Sequence, residues 1–195
     1  MFNIVIFTCI SLVSLTVVAS VKVNTGNNVC KVSNLNIGNG IQIPNGGCVE
    51  AFMGEIPNTN NMISTVILFP KDNDVIEENQ TFTIRTKTIN LSTGFFTNTD
   101  TQYYIFPQTL DDKGFIQGHS HIVIQEIKNE DEPLDPKVFA FFKGLDGLSN
   151  EQGELNALVE NGLPIVKYRI CTLVSSFAHQ PTLMPVAQRG IYNSH

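Results

Sequence analysis

Residues 118–125 read GHSHIVIQ, placing His119 and His121 two apart at the mouth of an apolar, β-branched run. In an extended strand, side chains at i and i+2 share one face, with α-carbons about 7 Å apart. Two imidazoles so placed can reach one ion, and imidazole donors suit copper or zinc. A third ligand is needed, and His179, in the segment AHQP, is the only other internal histidine. The fourth position falls to water or to a carboxylate such as Asp111 or Asp112. The competing reading is structural, with the rings bonding to loop backbone at a strand end and no cofactor bound.

Other chemistries find less support. No Gly-x-Ser-x-Gly elbow is present, so an α/β-hydrolase has no nucleophile. The carboxylate pair of a glycosidase is a tertiary arrangement that sequence does not reveal. No catalytic residue is therefore assigned. Glu130, Asp131, Glu132 and Asp135 lie in a proline-containing loop and read as solvated surface, with Arg169 and Arg189 as candidate ion-pair partners. The chain has no tryptophan, so a glycan platform would have to come from Tyr103, Tyr104, Phe95 and Phe96, and core or edge packing is the plainer reading. Phe139, Phe141 and Phe142 read as core, with Phe139 and Phe141 on one face.

The elements that must position these residues are short. The chain opens MFNIVIFTCISLVSLTVVAS, with no charged side chain before Lys22 and small residues at Ala19 and Ser20. This pattern predicts a cleaved signal peptide over 1–20 and export from the cell. A mature chain starting at Ser20 or Val21 offers no N-terminal histidine for a copper brace. No later window reaches membrane-spanning length, so no span is expected after cleavage. The formal charge is −6 with scattered basic residues, which excludes a phosphate-reading nucleic-acid surface. The expected partner is an extracellular protein or a glycan.

Beyond Cys9 the chain carries Cys30, Cys48 and Cys171. Cys30 and Cys48 can close a turn-rich loop, a constraint of about 3 kcal/mol on the unfolded chain. Three is an odd number, so at least one of these thiols is unpaired or pairs between chains. Asn79 and Asn90 begin sequons and are candidate glycosylation sites.

Residues 21–61 read as a turn-rich extension and 62–195 as the domain. Strands are predicted at 63–69, 81–88, 102–106, 119–127, 137–142, 166–174 and 182–187, the last an edge strand containing proline; 154–159 fits a helix or a strand, and its short length and the following Gly162-Leu163-Pro164 favour a strand. In 81–88, Phe82 and Ile84 share one face while Thr83, Arg85 and Lys87 share the other. Seven or eight short strands separated by turns predict an all-β, antiparallel sandwich of immunoglobulin-like form.

The stretches NMISTVILFPKDNDVI, TFTIRTKTINLSTGFFTN, GFIQGHSHIVIQ, LDPKVFAFFKGLDG and NGLPIVKYRICTLVSSFAHQPTLMPVAQRG follow one another in order. Together they resemble a family of small, uncharacterised secreted fungal proteins, often misnamed after a ribosomal protein. The resemblance implies secretion by a fungus, with a role at the cell surface or against a host, and no settled reaction. Relatives continue past AQRG into a further strand; here the chain stops at His195, so the resemblance implies that a terminal strand, and with it a partner for Cys171, is missing, which would leave Cys171 a free, mostly buried thiol.

Overall fold

The computed structural model describes residues 29–190; the expected signal peptide lies outside them. Seven strands form two sheets: β1 (Ser64–Phe69), β2 (Phe82–Ile89), β3 (Leu91–Ser92), β4 (Ile116–Glu126), β5 (Phe141–Leu145), β6 (Glu154–Val159) and β7 (Tyr168–Ser176). One sheet runs β1-β2-β6. In the other, β4 is central and pairs with β3, β5 and β7. The expected all-β sandwich is therefore present. The order β1-β2-β6 against β5-β4-β7 corresponds to A-B-E against C′-C-F of an immunoglobulin-type domain. Among the named strands, the two-residue β3 alone runs parallel to its neighbour, β4.

Sequence alternation explains the core. On β2, Ile84, Thr86 and Thr88 are buried while Thr83 and Arg85 are exposed, as period two requires. Ile67, Ile84, Leu155, Ala157 and Val159 of the first sheet meet Ile122, Ile124 and Leu145 of the second. Because Ile122 and Ile124 point into this core, His119 and His121 stand on the opposite, outer face of β4. A second cluster of Ile63, Leu91, Ile116 and Val174 closes the end of the sandwich.

Two expected strands, at 102–106 and 182–187, are absent among the described residues, and the one expected at 137–142 is shifted to Phe141–Leu145. At 102–106, Tyr104 adopts φ 59°. Its N–H donates to Ala178 while that of Tyr103 donates to Gly40, so the backbone serves two separate segments rather than one ladder. At 137–142, the Asp135 carboxylate accepts from Lys137 N and its carbonyl from Val138 N, which extends the turn. The strand starts only at Phe141. Phe139 is 53% exposed and Phe142 48%; of the three rings, Phe141 alone packs on the core. At 182–187, Leu183 N donates to the side-chain oxygen of Gln108, and Pro181 makes a single bridge to Ser175.

Gln108 is fully buried, and its Nε2 donates to the carbonyls of Glu55 and Leu183. It thereby ties the N-terminal extension to the C-terminal segment. The extension docks further through Glu55 N to Gln108 O, Tyr103 N to Gly40 O, and Leu110 N to the Glu55 carboxylate. Among the described residues, no helix is long and apolar enough to cross a membrane.

Candidate metal centre

β4 sets His119 and His121 side by side because it is extended and flanked by hydrogen-bonded neighbours on both edges. The strand reaches β7 closely at Gly118, where a Cβ would lie 2.1 Å from Ser175 O; only glycine fits. His179 comes from the turn after β7, in which its N–H donates to Ser176 O. Its φ is +70°, a left-handed conformation that a non-glycine residue adopts at a cost.

The three rings converge. Centroids lie 4.7 Å apart for His119–His121, 4.5 Å for His119–His179 and 6.0 Å for His121–His179. One ring nitrogen from each residue lies within 4.8 Å of the other two. Tetrahedral ligands at zinc distances stand about 3.4 Å apart, so small ring rotations close the set around an ion.

Hydrogen bonding assigns the tautomers. His119 Nδ1 faces Phe95 O at 3.0 Å and His121 Nδ1 faces Leu173 O at 3.4 Å. A carbonyl only accepts, so both Nδ1 atoms carry the proton. Thr97 Oγ1 donates to Gln102 O and faces His179 Nδ1 at 3.3 Å, so it accepts the third Nδ1 proton. Three Nε2 lone pairs are left for a ligand, the outer-shell arrangement that fixes metal-binding histidines. His119 Nε2 is buried without a hydrogen-bond partner among the described residues.

The electrostatics keep the rings neutral, the form that binds metals. Burial, with the neighbouring His121 and His179, pushes the His119 pKa down to about 4. Burial also lowers His121 and His179, against an opposing pull from the Asp146 carboxylate on both. Asp146, in the turn after β5, was not among the carboxylates expected here. Asp111, which was, accepts from Lys113 N and Phe115 N and holds its own turn.

Each histidine has an aromatic neighbour: Phe96 lies 6.2 Å from His119, Phe142 5.2 Å from His121 and Tyr103 5.9 Å from His179. Tyr103 and Tyr104 stack at 4.0 Å, so each covers one face that a sugar would need. A cavity of about 420 Å³ lies at the other end of the sandwich, against Ile124, Leu163 and Ile170, and none of the histidines lines it.

Cys30 and Cys48 form a disulfide. Cys171, outside it, is half-buried rather than mostly buried, and burial pushes its thiol pKa up. Asn79 is exposed, whereas the half-buried Asn90 donates its amide to the carbonyls of Met62 and Asn60. The acidic loop pairs through Glu130 with Lys167; Arg169 instead donates to Gln125.

A family model described as the CLU5d N-terminal domain matches residues 65–194. The chain is 46% identical over 155 residues to "Pathogenicity cluster 5 protein d" of the fungus Colletotrichum graminicola. That alignment covers 78% of this chain and 32% of the relative, so the chain spans about a third of the relative's length. No solved structure matches.

Proposed function

The chain belongs to the CLU5d N-terminal domain family, and on that premise we propose that it is a secreted, non-enzymatic β-sandwich module that holds one copper or zinc ion through His119, His121 and His179. The observation that carries this reading is the common tautomer of three converging imidazoles. Each commits its Nδ1 proton to a protein oxygen, which leaves Nε2 unprotonated, and one ring nitrogen of each lies within 4.8 Å of the others. Leaving a buried ring nitrogen unpaired costs about 1–3 kcal/mol, and a bound ion would remove that cost. The relative's name attaches it to a pathogenicity cluster, which supports a role outside the fungal cell, toward a host.

Metal analysis of the purified protein, after reconstitution with zinc or copper, tests the proposal. The expected result is one ion per chain, lost in His121→Ala and in His179→Ala. Substoichiometric metal in the wild type, or full retention in both variants, overturns it.

A further inference from the structure

Gly144 on β5 stands directly opposite His121 on β4. Paired residues of an antiparallel ladder send their side chains to the same face, with β-carbons about 4.5–5.5 Å apart. Gly144 has no β-carbon, and its φ lies outside the left-handed region, so its backbone does not demand glycine. Space does. A Cβ there would lie 2.8 Å from Asp146 Oδ1 and 3.2 Å from Oδ2. The Asp146 carboxylate thus folds back over the end of β5 and fills the place beside the His121 ring that a side chain at 144 would take. Its charge also acts on His179, and its carboxylate, which lies outside the three ring nitrogens that stand within 4.8 Å of one another, would have to swing inward to join them.

We propose that Asp146 is the fourth ligand of the histidine site, and that the resulting set of three imidazoles and one carboxylate selects a divalent ion, zinc(II) or copper(II), over copper(I). The inference rests on the metal-binding reading above. A carboxylate oxygen is a hard donor that favours a divalent ion, and its charge offsets part of the ion's own. Three neutral imidazoles alone would serve copper(I) equally well. Gly144 acts as the spacer that lets the carboxylate in.

The test compares wild type, Asp146→Asn and Gly144→Ala. Zinc affinity is read by competition with a chromophoric chelator, copper(I) affinity by competition with bicinchoninate, and coordination by the visible spectrum of the cobalt(II)-loaded protein. Asp146→Asn is expected to weaken zinc binding roughly 10–100-fold and to alter the cobalt bands, while copper(I) affinity stays within about twofold. Gly144→Ala, which displaces the carboxylate without removing it, is expected to change zinc affinity and spectrum in the same direction. Unchanged zinc affinity and cobalt bands in both variants, with metal still lost in His121→Ala, overturn the role of Asp146 and leave the three-histidine site standing. A wild-type chain that binds none of zinc, copper and cobalt overturns both.

Discussion

His119 on β4 and His179 beyond β7 hold their ring centroids 4.5 Å apart at an interplanar angle of 65°. A single loop holds both in place. Phe95 O receives the Nδ1 proton of His119, and Thr97 Oγ1 receives that of His179. Thr97 N also donates to Phe177 O, in the turn that carries His179. The loop is a bracket between two segments far apart in sequence.

Thr97→Val therefore removes the acceptor for His179 Nδ1 while keeping the shape of the side chain. Metal affinity is expected to fall roughly 10–100-fold with the circular-dichroism spectrum unchanged. Equal affinity in the variant would show that His179 needs no orienting partner.

Binding should also appear as heat resistance. A ligand at a hundred times its dissociation constant stabilises the folded state by about 2.7 kcal/mol. For a domain of this size that raises Tm by roughly 5–10 °C. Differential scanning fluorimetry with zinc, and then with excess chelator, checks this. His121→Ala is expected to lose the shift.

In the metal-stripped protein, stability should fall on acidification. Burial pushes His119 down to about 4 in the folded chain, against 6.5 for a free imidazole. Between these values the unfolded chain binds the extra proton, so stability is complete above pH 6.5 and declines toward pH 4. His119 is fully buried, and its share is about 3 kcal/mol. His121 and His179 shift in the same direction. Denaturant midpoints at pH 7.5, 5.5 and 4.5 should descend in that order; a flat profile refutes the assignment.

Thr172 on β7 is paired with Ile122, and its hydroxyl is buried without a hydrogen-bond partner among the described residues. Replacing such a group with an apolar one of the same shape removes the desolvation cost. Thr172→Val is expected to stabilise the domain by about 1 kcal/mol in urea unfolding. A loss of stability would indicate a partner for the hydroxyl.

The parts of the fold that could be read from sequence were those governed by local period. The alternation at 82–89 placed Ile84 inside and Arg85 outside, and the His-x-His spacing put two rings on one face. Residues 102–106 and 182–187 have strand-like composition, but a strand also needs a neighbour in register, and composition does not supply one. Phe139 fell into a turn made by Asp135. His179 could be named as a third ligand, yet its approach depends on the turn after β7 folding back beside β4. Asp146 was invisible for a related reason: its relation to His121 passes through the register of β4 and β5. An unexplained glycine opposite a histidine would have been the only clue.

The contact between the N-terminal extension and the loop at 98–104 ties the histidine pocket to the disulfide. Gly40 sits so close to this loop that a Cβ would lie 2.4 Å from Thr101 O, and its carbonyl accepts from Tyr103 N, whose ring flanks His179. Gly40 itself lies within the loop closed by Cys30 and Cys48. One wall of the histidine pocket thus leans on a segment shaped by oxidation. A chain folded under reducing conditions would lack that cross-link, and one wall of the pocket would then rest on an unclosed segment.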